Sequence, residues 1–147
     1  MRLVVHRPVA LPVDRVRRAL ADPAALIDAL APRLEPLPPE PGMTGHWRIS
    51  VPLAGLAREV RVWLPAHHRD DGCQAAARMD GVAADFALLA AADGVRATCL
   101  RAEVTVAAAG LRGRALMAML VVAEPALRAR VGVLLDRLSA HLAAQAA

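Results

Sequence analysis

The sequence predicts an α+β fold in which an antiparallel sheet curves around a long C-terminal helix. Three observations carry that reading. From Leu111 to Ala143 the chain reads as one long amphipathic helix, interrupted only by Pro125. From His46 to Val106, apolar and polar residues alternate in short runs separated by turn dipeptides. A small helical insert lies near the start, between a first strand and the rest. A sheet wrapped around such a helix tends to leave an apolar cavity, so the pattern points to a binder of something hydrophobic.

Residues Arg2 to Leu11 are rich in β-branched side chains and bounded by prolines, which predicts a strand. Pro8 cannot donate to a ladder, so that strand belongs at an edge. Val13, Val16, Leu20, Leu26, Ile27 and Leu30 recur at helical spacing. Asp22 is a good N-cap and Pro23 suits a first helical turn, so the segment divides into helices over 13–20 and 23–30. Four prolines between Arg33 and Gly42 allow a short edge strand but no helix.

Six further strands are expected, counting the proline-rich one. Trp47, Ile49, Val51 and Leu53 alternate with His46, Arg48 and Ser50. Gly55 turns the chain, and Val60, Val62 and Leu64 alternate with Glu59, Arg61 and Trp63. His67 to Gly72 is a polar loop, and Cys73 to Met79 a weak, alanine-rich strand. Asp80-Gly81 and Asp93-Gly94 are hairpin turn signals on either side of a strand over 84–91. Arg96 to Val106 closes an antiparallel meander, giving seven strands in all. In the final helix, Leu116, Leu120, Leu127, Val131, Leu134, Leu135, Leu138 and Leu142 form a stripe with one gap at 123–124. About 28 residues there span roughly 40 Å. Pro125 should kink the helix or divide it near Ala123. The half before it, with Met117, Met119, Val121 and Val122, is apolar almost all round.

Composition bounds the rest. The chain has 147 residues, enough for one domain with a real core and no disulfides. All 18 basic residues are arginine and 14 residues are acidic, for a net charge of +4. An arginine-only, alanine-rich composition fits codon bias in a GC-rich genome. The arginines are scattered, and no basic stripe with stacking aromatics exists, which counts against a nucleic-acid partner. Trp47, Trp63 and Phe86 are the aromatics; tyrosine is absent. Cys73 and Cys99 lie far apart, as in a reduced compartment. No signal-peptide core is visible in MRLVVHRPVALPVDR, and the run Ala115 to Ala123 is too short to span a membrane. A cytoplasmic protein, monomeric or weakly dimeric, is expected.

The order strand, two short helices, six strands and a long helix resembles the START-like superfamily, also called SRPBCC or helix-grip. The segment LPVDRVRRALADPAALIDAL is similar to that superfamily's entry into its paired helices. PGMTGHWRI resembles its Gly-x-x-Trp-x-hydrophobic strand, and LRGRALMAMLVVAEPALRARVGVLLDRLSAHL its closing helix. The likeness covers the whole chain, is closest to short bacterial members, and contains no invariant motif. It implies a hydrophobic ligand held between sheet and helix: a lipid, a quinone or a polyketide-like molecule. Some members are polyketide cyclases.

The lining expected from alternation and helical spacing is Trp47, Ile49, Val51, Val62, Phe86, Leu88, Leu100, Val104, Met117 and Leu120, with Leu26 and Leu30 near the mouth. No catalytic residue, metal site or cofactor is assigned. His46, Arg48 and Ser50 alternate with the inward residues and read as a solvated face. Glu124 flanks the kink. His67, His68, Asp70 and Asp71 are ligand types, but their clustering in one turn reads as a polar loop rather than a metal site. Three functions stay open. The first is non-catalytic binding or carriage of a hydrophobic molecule. The second is a cyclase- or hydratase-type enzyme using the same cavity. The third is a protein-interaction module with a collapsed cavity.

Overall fold

In the computed structural model, residues 1–53 and 55–146 are described, and of residue 53 only the backbone. The inward reading of the Leu53 side chain therefore lies outside the described residues. The elements run β1 (Arg2–Val9), α1 (Val13–Leu20), α2 (Pro23–Leu30), β2 (Glu35–Pro36), β3 (Met43–Leu53), β4 (Leu56–Pro65), β5 (Gly72–Met79), β6 (Val82–Ala92), β7 (Thr98–Ala108), α3 (Gly110–Val122) and α4 (Glu124–Ala146). The strands form one antiparallel sheet in the order β1-β7-β6-β5-β4-β3-β2. This is the α+β helix-grip arrangement expected from the sequence.

Local chemistry explains the boundaries. The Asp22 carboxylate accepts a hydrogen bond from the Ala25 amide at 3.3 Å, with Pro23 opening α2. Asp80 and Gly81 both take positive φ, 41° and 81°, as a two-residue hairpin with the twist of its strands requires. Asp93-Gly94 differs from its expected tight turn. The Asp93 amide reaches the Ala97 carbonyl at 2.9 Å, closing a longer loop, so β7 starts at Thr98 rather than Arg96. The long C-terminal helix is two helices, parted at Ala123. Glu124 opens the second, with Pro125 in its first turn, where a missing N–H costs nothing.

β1 forms one end of the sheet, as Pro8 predicted. Arginines occupy its outer carbonyls. Arg128 donates to Val4 at 2.8 Å and Arg7 to His6 at 2.9 Å. Arg7 also pairs with Asp136 at 3.1 Å, crossing α4 at Gly132, where its guanidinium fills the space a Cβ would take. Helix α4 is thus fastened along the β1 edge.

Register assigns the faces, because residues paired across strands share one. Trp47, Val62, Ala77, Ala84 and Val106 form one continuous row. Ala75, Phe86, Val104 and Leu3 form the next. These rows make the inner face, toward the helices. The buried members of all three core clusters come from β1, β6, β7 and the helices. One cluster joins Val9, Leu100, Val16, Leu20 and Leu26 to Leu138 and Leu142. A second seats Leu116 on Leu3, Val82, Val104 and Val106. Leu135 on Val5 and Ala102 bridges them. None of those buried residues comes from β3, β4 or β5.

Candidate functional site

The uneven core defines the site. Helices cover one half of the inner face, and the half built from β3, β4 and β5 contributes no buried member to the three clusters, although Trp47, Leu64 and Ala77 on it are themselves buried. On that half Trp47 pairs with Val62 and Ile49 with Val60. The Trp47 ring folds back over Gly45, where any side chain would overlap it. Ile49, Val51, Val60 and Val62 are each half-buried. At the seam between the two halves, Phe86 stands between Ala75 and Val104 and remains 38% exposed.

The orientation of α4 is marked by its contacts at the β1 edge. Arg128, Gly132 and Asp136 lie along its flank at the β1 edge. Leu127, Leu134 and His141 occupy the other flank by helical spacing, away from the β1 edge. Leu134 is 48% exposed there. Phe86 on the sheet and Leu134 on α4 are thus both large apolar groups left unburied.

Of the twelve residues expected to line a cavity, register brings eight onto one sheet face: Trp47, Ile49, Val51, Val62, Phe86, Leu88, Leu100 and Val104. Leu100 and Val104 are closed beneath the helices, as is Leu26 in α2. Leu30 and Leu88 lie partly buried at the margin of that core. Met117 and Leu120 pack beside Leu116 over Leu3, Val82, Val104 and Val106. Trp47, Ile49, Val51, Val62 and Phe86 thus lie on the inner face outside the three core clusters, with Trp47 itself only 5% exposed, and the remaining expected residues belong to the core or its margin.

The polar candidates fall elsewhere. His46, Arg48 and Ser50 sit on the outer face, opposite Trp63, Arg61 and Glu59. His46 is only 5% exposed even so. Its Nδ1–H donates to the Pro38 carbonyl at 3.1 Å, because the proline-rich segment crosses over it. Arg48 pairs with Glu35 at 2.8 Å, which holds the guanidinium above its usual pKa. Glu124 accepts from Arg128 at 2.8 Å, on the β1 side of α4. Among the described residues, no three His, Cys, Asp or Glu side chains gather as a metal centre would need.

Two inner-face groups were not singled out in the sequence. Arg58 pairs with Val51 and precedes Val60, Val62 and Leu64 at even spacing, so it stands on the inner face. Its Nη1 donates to Asp80 at 2.6 Å, while its buried Nε has no partner. The alternation that marked Val60 and Val62 already contained it. Cys73, opposite Leu88, also faces inward. Burial pushes its thiol up to about 11. Finding it needed the strand register. At the end of the sheet beyond Cys73, a cleft of about 490 Å³ opens between the α1–α2 junction and the β4–β5 loop. Leu20, Leu64 and Cys73 border it on the apolar side, and Arg17, Asp22, His67 and His68 on the polar side. None of the twelve expected residues borders this cleft.

No protein-family profile matches the chain, and no curated protein does. Solved structures do match. A protein from Thermus thermophilus superimposes with a TM-score of 0.67 at 16% identity, covering 100% of both chains. Norcoclaurine synthase from Thalictrum flavum, a point mutant in complex with a transition-state analogue, gives a TM-score of 0.66 at 13% identity, covering 100% of this chain and 98% of its own. The Zhui aromatase/cyclase from Streptomyces sp. R1128 gives 0.50 at 20% identity, covering 94% and 95%. At these identities the likeness establishes the shared fold, the same helix-grip arrangement that the sequence resembles.

Proposed function

We propose that this chain binds a hydrophobic small molecule, non-covalently, in the groove between the β3–β5 inner face and α4. The observation that carries the reading is the pair Phe86 and Leu134, large apolar side chains left 38% and 48% exposed, one on the inner face of the sheet and one on α4. Leaving such surface in water forgoes roughly 25 cal/mol per Å² of apolar area, which a ligand recovers. Arg58 is the charged group placed to hold an oxygen at the ligand's polar end. Its Nη1 is engaged by Asp80 and its outer donors remain for a guest. The ligand class that fits is a lipid, a quinone or a polyketide-like molecule, and the fold neighbours named as a synthase and an aromatase/cyclase agree with a small-molecule cavity.

The test is native mass spectrometry of the protein from its own host, together with titration by the fluorescent amphiphile anilinonaphthalene sulfonate. A co-purified apolar mass, or a saturable probe signal displaced by fatty acid or quinone, is expected. Ala75→Trp, which fills the space opposite Phe86, should abolish uptake while leaving the circular dichroism spectrum unchanged. Probe binding undiminished in that variant would place the ligand elsewhere. A clean apo mass with no probe uptake would sink the reading.

A further inference from the structure

The exposed side of α3 is not explained by the groove. Gly113, Leu116 and Leu120 turn inward, with Met117 beside them. On the opposite side Leu111, Ala115, Ala118 and Val122 follow one another at spacings of four, three and four, which is a single helical stripe. All four are exposed, Leu111 by 86% and Val122 by 83%. Helical spacing sets Arg112 and Met119 along one flank of the stripe and Arg114 and Val121 along the other. Both arginines are exposed. The sequence between Glu103 and Glu124 contains no acidic residue. Those two bounding acids are already engaged, Glu103 by Arg2 and Arg101 and Glu124 by Arg128.

We propose that α3 docks this protein on an anionic lipid bilayer, with the Leu111–Val122 stripe in the interface and Arg112 and Arg114 at the phosphates. An apolar stripe bordered by arginine on both flanks matches the cross-section of a membrane surface. Acyl chains receive the centre, and long guanidinium side chains reach back to the headgroups. The charge points to the same occupant. A helix without acids, on a chain of net charge +4, is drawn to a negative leaflet. The binding is peripheral, since no helix among the described residues is long and apolar enough to cross a membrane. The anchorage is firm, because α3 is held from behind by the Gly81–Gly113 backbone contact and by Leu116.

The experiment is co-sedimentation of the full chain with vesicles of phosphatidylcholine alone or mixed with phosphatidylglycerol. Binding to the mixed vesicles, weakening as salt rises, is expected, with little to phosphatidylcholine alone. The double variant Arg112→Gln with Arg114→Gln should lower the partition coefficient about thirtyfold, since each basic residue near the surface is worth about a factor of five. Val122→Asp should abolish binding, while Val133→Asp, an exposed apolar site on α4, should not change it. No sedimentation with the anionic vesicles would overturn the proposal, as would equal loss in Val133→Asp. Dimerisation in analytical ultracentrifugation that Val122→Asp removes would overturn it in favour of a second copy of the chain. Groove occupancy is read separately by the Ala75→Trp variant, so failure of either idea leaves the other measurable.

Discussion

At the scale of single residues, the inner face carries few polar groups, and each has a physical consequence. Cys73 stays a neutral thiol because burial disfavours its thiolate, which raises it from 9.0 to about 11. Below the unfolded value both states hold the proton and the stabilisation is whole. As pH rises from 9 to 11, the unfolded chain gives up that proton and the folded one does not. Relative to Cys73→Ala, the wild-type protein should then lose on the order of 2 kcal/mol, measured by urea denaturation across that interval. Parallel pH profiles for the two proteins would contradict the assignment. Cys99, on the outer face near His6, is the internal control for alkylation at neutral pH: it should react with iodoacetamide well before Cys73. At this scale the sequence was legible where a residue had a local job. Asp22 as a cap and Pro23 as a first-turn residue needed only their neighbours. Arg58 was visible in principle, by even spacing to Val60 and Val62. Cys73 was not, because its direction depends on pairing with β6.

Elements were read well where periodicity and punctuation agreed. The paired helices, the edge position of β1 and the break at Ala123 all followed from proline placement. The Asp93-Gly94 loop did not, since the dipeptide alone cannot tell a two-residue turn from a longer loop ending at Ala97. α3 shows a different limit. A segment apolar on every side has no pattern to say which side is buried, and a reading from sequence treats all of it as wall. Its orientation comes from a contact between two glycines. A Cβ on Gly113 would collide with the Gly81 carbonyl in the β5–β6 turn. Alanine is the better helix former by about 1 kcal/mol, so propensity alone predicts that Gly113→Ala stabilises. The contact predicts the reverse, a loss on the order of 2–4 kcal/mol in chemical denaturation. Gly132→Ala, which meets only the movable Arg7 guanidinium, should cost less than about 1 kcal/mol. A neutral Gly113→Ala would show that α3 is not fixed at that turn.

On the scale of the whole molecule, the three core clusters draw on β1, β6, β7 and the helices, while β3, β4 and β5 add separately buried residues, Trp47, Leu64 and Ala77, beside half-buried ones. Leu100 is fully buried among Val16, Leu20 and Leu138, and its truncation to alanine should cost about 2–5 kcal/mol, the usual range for such a cavity. Phe86→Ala removes a larger side chain, yet it should cost less than Leu100→Ala, because 38% of Phe86 already faces solvent. Thermal or urea unfolding of the two variants compares them directly, and a larger loss at Phe86 would mean that the groove is closed core. The sequence could not make this division. Alternation gives every strand an inner face and says nothing about which strands the helices cover. Coverage follows from Leu135, Leu138 and Leu142 packing on β1, β6 and β7, with the arginine contacts at the β1 edge beside them, a long-range arrangement with no local signature.

That fastening has a mechanical meaning. Arg7 and Arg128 act on α4 as stitches along one hem, with Val4, His6 and Asp136 as the cloth they pass through. A flap sewn on one side lifts from the other. The margin away from that seam carries the exposed Leu134. A ligand bound as proposed above is expected to displace that margin, while the seam and the sheet behind it keep their shape.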